Sequence, residues 1–93
     1  MFEWGEAKNA SNLEKHGLSF DEAKHIFDGP VLTAPAPRDY GEAREVSIGR
    51  LGDAVVVTVV HTDRAGVTRI ISARLASRKE RRLFDEYLEK AAH

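Results

Sequence analysis

Between positions 61 and 82 the chain collects residue types suited to phosphate chemistry. His61 is followed by Arg64, Arg69, Arg74, Arg78, Lys79, Arg81 and Arg82, against two acids, Asp63 and Glu80. That segment carries a formal charge of +5, whereas the rest of the chain, with seven bases and thirteen acids, carries −6. A guanidinium stays charged and its planar fork matches two phosphate oxygens. An imidazole exchanges protons near neutral pH. A basic segment in an otherwise acidic small protein binds a polyanion locally without attracting every polyanion.

The order of charges within the segment sharpens this expectation. Ser77 and Glu80 have capping-box spacing and open a helix predicted to run to about Ala91. Arg78, Lys79, Arg81 and Arg82 then fall in its first turn and a half, while Asp85, Glu86 and Glu89 lie toward its other end. Both choices oppose the helix dipole. Pairing of Arg81 with Asp85 and of Arg82 with Glu86 would offset only about 0.2–0.5 kcal/mol per pair. An anion site, in which the helix start and its arginines attract phosphate together, explains the pattern better. Among the four cations Arg78 is the first candidate, being nearest the preceding strand.

His61 ends an apolar run and opens a polar turn, which suggests a position at the mouth of a site. It is a candidate acid or base, or else a strand-end histidine bonded to backbone. Arg64, three residues on, is a candidate phosphate contact or a solvated turn residue. Strict alternation along the next strand puts Arg74 with Ser72 and Ile70 on one face and Arg69 on the other, so the two arginines should not line one site. Arg74 is the preferred candidate, and Arg69 reads equally well as half of a structural ion pair. Trp4 is expected in the core and Glu3 in a salt bridge. Tyr87 falls on an apolar stripe.

These side chains need a scaffold, and its outline follows from periodicity. Phe2-Glu3-Trp4 alternates as a short strand. A helix runs from about Glu6 to His16, with Gly5 at its start and Gly17 as its stop. Ser19 and Glu22 open a second helix with Phe20, Ala23, Ile26 and Phe27 on one stripe, ended by Asp28-Gly29-Pro30. Val31–Ala34 reads as a short strand, and Pro35, Pro37, Asp39, Gly41 and Glu42 as a solvated loop. Strands are expected at Arg44–Leu51, Ala54–His61 and Val67–Arg74, separated by a turn at Gly52-Asp53 and another at 62–66. Loops this short allow hairpins and no crossovers. In the last helix Leu83, Phe84, Tyr87, Leu88 and Ala91 should face the sheet. The fold class is α+β: an antiparallel meander with two N-terminal helices and one C-terminal helix, the helices covering one sheet face.

Composition bounds the rest. Ninety-three residues fit one domain with a small core. There is no cysteine, so no disulfide supports it. The histidines at 16, 25, 61 and 93 lack HxxxH or HExxH spacing, so no metal site is expected. A partner protein is then the remaining common stabiliser. The longest apolar run, 54–60, is too short for a membrane span. The N-terminus lacks signal-peptide features, and the chain reads as cytoplasmic.

Several fragments together resemble the BrnT family of toxins. The opening one is Phe2-Glu3-Trp4 with Lys8, Asn12, Lys15-His16-Gly17 and Phe20. Ile48-Gly49, the valine-rich strand ending at His61-Thr62, and Arg64 follow. Arg69 to Arg74 with Ala76, Glu80 and Tyr87 close the set. Gly5 stands where the family commonly has Asp. The resemblance implies a RelE-like fold, cleavage of RNA that blocks translation, and a ribbon-helix-helix antitoxin, BrnA, in a hetero-oligomer that binds operator DNA only through the antitoxin. Metal-free cleavage needs a base for the 2′-hydroxyl, an acid for the leaving oxygen and cations for the transition state. On that basis His61, Arg64 and Arg74 are the catalytic candidates, and Lys15, Arg78, Arg81 and Arg82 the substrate-binding ones. The alternatives are a binding module without turnover and a degenerate toxin kept as a corepressor.

Overall fold

The computed structural model describes residues 1–36 and 43–91. The elements are β1 (Phe2–Glu3), α1 (Glu6–His16), α2 (Phe20–Ala23) running into a 3-10 helix (Lys24–Asp28), β2 (Val31–Pro35), β3 (Glu45–Leu51), β4 (Val55–Arg64), β5 (Val67–Leu75) and α3 (Arg78–Ala91). Pro37, Asp39, Gly41 and Glu42 of the expected loop lie outside the described residues.

The sheet order is β1-β5-β4-β3-β2. Strands β2 to β5 form the antiparallel meander, and β1 adds a short parallel rung, Phe2 opposite Thr68 and Glu3 opposite Arg69. The sheet is therefore mixed.

Both capping boxes form. The Glu22 amide donates to Ser19 Oγ at 3.1 Å, and that of Glu80 donates to Ser77 Oγ at 3.2 Å while Ser77 N–H donates to Glu80 Oε1 at 2.8 Å. Gly5 offers α1 no side-chain cap, and Gly17 stops it at φ 69°, its N–H bonded to the Leu13 carbonyl. Asn9 supplies what local sequence does not show: its Oδ1 accepts the Phe20 amide at 2.9 Å and so helps start α2.

Side chains from α2, the 3-10 helix and one sheet face make the core: Phe20, Ala23, Ile26, Val57, Val59, Ile70 and Ala73 are essentially inaccessible. Trp4 is half-buried, edge-on to Phe20. The helices do not share a face as expected. Val57 and Val59 meet the N-terminal helices, so Thr58 must point the other way. Thr58 Oγ1 donates to Glu80 of α3 at 3.1 Å, which puts α3 on the opposite face. There Phe84 is buried and Tyr87 and Leu88 are half-buried. Leu83, expected to face the sheet, is 43% exposed, as is much of Ala91. One turn of α3, and no continuous stripe, carries the packing.

The hairpin joining β4 and β5 is tighter than predicted. β4 continues through Thr62, Asp63 and Arg64, and only Ala65 and Gly66 turn, at φ 52° and 82°. Two positive φ values in a two-residue loop match the twist of the flanking strands.

Candidate functional site

One extra residue decides which arginines share a surface. Val60 pairs with Ser72 but His61 pairs with Ile70, so Ile71 is a bulge. Beyond it the alternation of β5 is reset. Thr58 faces Arg74, Thr62 faces Arg69 and Arg64 faces Val67. Cross-strand partners point to the same side, so Arg64, Arg69 and Arg74 all lie on the α3 side of the sheet. The expectation that Arg69 and Arg74 point apart is corrected: it assumed strict alternation through Ile71.

On this side Arg64 and Arg69 line a concavity with Glu3, Thr62, Ala65 and Val67. Arg69 Nη1 donates to Glu3 Oε2 at 3.0 Å, with both side chains about half exposed. Arg78, Arg81 and Arg82 line a second concavity at the start of α3, closed by Ala76 and Asp85. Neither Arg81 nor Arg82 forms an ion pair among the described residues, so the i,i+4 explanation for their placement fails.

Arg74 lies between the two concavities and is committed. Its guanidinium donates two parallel bonds to Glu80, at 2.7 and 2.9 Å. That guanidinium, opposed by burial and aided by the Ser77 amide and the Thr58 hydroxyl, lowers the Glu80 carboxyl to about 2. Arg74, the preferred candidate for RNA, and Arg69 are thus both held in ion pairs, and the Arg74 pair is the better formed. From Thr58, opposite Arg74, to Arg64 is six residues of strand, about 20 Å. One phosphate cannot touch both arginines, whereas an extended polyanion can.

His61 is on the other side of the sheet. It shares the alternation of Val57 and Val59 and is 2% exposed, so it does not sit at a mouth as expected. The 3-10 helix covers it, with the Phe27 ring edge-on at 5.2 Å between centroids. Both ring nitrogens are bonded: Nε2 to Ser47 Oγ at 2.7 Å and Nδ1 to Asp63 Oδ1 at 3.2 Å. Ser47 in turn meets Thr33 Oγ1 at 2.7 Å. A carboxylate only accepts, so Nδ1 carries the proton toward Asp63, and Nε2 shares a hydrogen bond with the Ser47 hydroxyl. The β3 register brings Glu45 opposite His61.

Glu45 and Asp63 are neighbours. The Asp63 carboxyl beside it, then burial, raises the Glu45 carboxyl above its ordinary range. Burial pushes Asp63 up too, but hydrogen bonds from Glu45 and Thr68, with His61 beside it, hold it below. One atom from each of Glu45, His61 and Asp63 lies within 4.8 Å of the others, a set that could hold a cation among the described residues. Histidine spacing alone did not reveal it, because strand pairing assembles it across sixteen positions of sequence. Sequence reasoning passed over Glu45 entirely and counted Asp63 only as a charge. The available signal was Asp63 next but one to His61 on a strand.

Lys15 belongs to neither region. It lines a shallow site with Lys8, His16 and Ser72 between α1 and the margin of β5. No described helix is long and apolar enough to cross a membrane.

A mixed sheet with helices on both faces, one of them rich in arginine, defines a class of small α+β protein already solved. The chain matches the 1.1 Å crystal structure of the Brucella abortus ribonuclease toxin BrnT with a TM-score of 0.63 and 24% identity, over 84% of this chain and 99% of that one. Comparison with curated proteins gives no match. The family model described as "Ribonuclease toxin, BrnT, of type II toxin-antitoxin system" matches residues 4–80. The chain belongs to that family.

Proposed function

We propose that the chain cleaves RNA without a metal ion, so inhibiting translation, and that a BrnA-like ribbon-helix-helix antitoxin neutralises it. Operator DNA is reached only through that antitoxin, in a hetero-oligomer. The observation that carries the RNA-binding part is the Ile71 bulge, which brings Arg69 to the side shared by Arg64 and Arg74, where α3 presents Arg78, Arg81 and Arg82. A polyanion laid across this face meets cations at both ends, and their preorganised charge stabilises the transition state.

Within this reading Arg64 is the phosphate contact. Arg74 acts indirectly, holding Glu80 and with it the start of α3, so that Arg78, Arg81 and Arg82 stay presented to the backbone. Lys15 extends binding only for a strand that wraps past the margin of β5. His61 acts indirectly, by fixing the end of β4 that carries Arg64. Metal independence is the part of this reading that EDTA tests directly, because Glu45, His61 and Asp63 lie close enough together to share an ion.

The test is cleavage of single-stranded RNA by the purified chain, with and without EDTA, for wild type and Arg64→Ala. We expect EDTA to have no effect. Arg64→Ala should lose cleavage while keeping its thermal transition, and the salt dependence of its RNA binding should fall by about one counterion. Strict dependence on magnesium would overturn the metal-free reading. Salt-dependent RNA binding with no wild-type cleavage would favour the binding module instead.

A further inference from the structure

We propose that the concavity beside β1 is a base-reading subsite, in which the Glu3–Arg69 pair recognises an unstacked guanine of the bound RNA. This rests on the reading that RNA crosses the arginine face. The concavity lies on that face, has a volume of about 450 Å³ and includes Glu3, Thr62, Arg64 and Arg69 in its lining. That volume falls within the range that takes a small organic ligand. Thr62 is only 7% exposed, and its hydroxyl has no hydrogen-bond partner among the described residues. A hydroxyl so enclosed and unbonded is a place for a ligand atom.

The pair itself suits an edge that carries donors and an acceptor together. Parallel pairing sets Glu3 beside Arg69, and Arg69 Nη1 donates to Glu3 Oε2 at 3.0 Å. Among the described residues Arg69 Nη2 donates to nothing and Glu3 Oε1 accepts from nothing. Both side chains are about half exposed and so within reach of a ligand. Gly5 keeps the start of α1 clear of Nη2, since even a Cβ there would stand 3.7 Å away. Neither blander role accounts for this arrangement. An exposed ion pair contributes little to folding, and a carboxylate repels the phosphate backbone that the surrounding arginines attract.

Proteins read single-stranded RNA through the Watson–Crick edges of splayed bases. Guanine presents N1–H and N2–H side by side, with O6 next to them. The Glu3 carboxylate accepts both donors while Arg69 Nη2 donates to O6. Adenine and cytosine present one amino group beside a ring-nitrogen lone pair, which repels the second carboxylate oxygen. Uracil presents one N–H between two carbonyls. Guanine alone satisfies the carboxylate and the guanidinium together, and each of its bonds is charge-assisted.

The experiment measures equilibrium binding of 2′-O-methylated uridine octamers, which cannot be cleaved through the 2′-oxygen. Each carries one central guanosine, adenosine or inosine. Cleavage of the unmodified octamers and a thermal melt of each variant accompany it. Wild type should bind the guanosine octamer on the order of tenfold or more tighter than the adenosine one. Inosine, which lacks the N2 amino group, should fall between them. Glu3→Gln should bring the guanosine and adenosine octamers within about twofold of each other. Gly5→Asp adds a cap to α1 and a carboxylate within reach of Arg69 Nη2, so its melting temperature should rise while its guanosine preference falls. Arg64→Ala should weaken all three octamers alike and keep the preference. Equal wild-type binding of the three octamers would overturn this inference, and so would an unchanged preference in a folded Glu3→Gln or Gly5→Asp. Cleavage by wild type would leave the ribonuclease reading intact in either case. Guanosine-selective binding with no wild-type cleavage would uphold the subsite and overturn the ribonuclease reading. If Glu3→Gln loses its melting transition, Gly5→Asp decides.

Discussion

Replacing Glu80 by Gln tests the joint that holds α3 to the sheet. Glu80 receives two bonds from Arg74, one from Thr58 and one from the Ser77 amide. Its carboxyl lies at about 2 in the folded chain against an ordinary 4.5. At full strength that difference is worth roughly 3 kcal/mol. The Glu80 side chain is 19% exposed and Arg74 43%, so solvent screening reduces the expected loss to about 1–2 kcal/mol. The sign is set by the lowered folded value: the stabilisation is complete above the unfolded pKa and disappears as pH falls from 4.5 through 2. Urea unfolding of wild type and Glu80→Gln at pH 7 should therefore differ by about 1–2 kcal/mol, and by only about a quarter of that at pH 2.5. The salt sensitivity of the difference at pH 7 should be small, since the pair is bidentate and partly buried. Equal stabilities at pH 7, or a gap that persists unchanged at pH 2.5, would refute the ion-pair account.

Three further substitutions examine other joints. Asn12→Ala removes bonds from one amide to the Leu18 and Ala73 carbonyls and from the Ala73 amide; leaving those groups buried and unpaired should cost about 2–3 kcal/mol in chemical denaturation. Gly49→Ala puts a methyl 2.8 Å from Ile26 Cβ and 3.0 Å from Val31 Cγ1; the overpacking should cost about 1–3 kcal/mol, visible as a lowered melting temperature. Ser47→Ala strands the buried His61 Nε2; a loss of about 1–3 kcal/mol is expected, and an unchanged denaturation midpoint would show that water replaces the hydroxyl.

The elements were legible because each carries its own local signal. Ser19 and Ser77 announce helices through Glu22 and Glu80, and Gly17 announces a stop. What failed was anything dependent on counting along a strand across an irregularity. Ile71 looks like any other β-branched residue in a strand, yet as a bulge it reverses the predicted face of every residue after it. Placing His61 at a mouth failed for a related reason. The expected turn at residues 62–66 is two residues long, so the imidazole lies inside a strand and beneath Phe27. Glu45 was invisible as a partner because its nearness to His61 exists only through the β3–β4 register. The charge segregation was readable throughout, although the structure distributes it over a broad face of about 20 Å and not a single pocket.

The brevity of β1 has a consequence of its own. Two residues pair with β5 at Thr68 and Arg69, which leaves the outer margin of the sheet uncovered by backbone further along. There the Asn12 carboxamide occupies the place of a missing peptide unit, accepting the Ala73 amide and donating to its carbonyl. Exposed strand margins invite pairing with another molecule. A single helix-borne side chain thus acts as a terminator, and a chain lacking it would offer that margin to its neighbours as a seed for self-association.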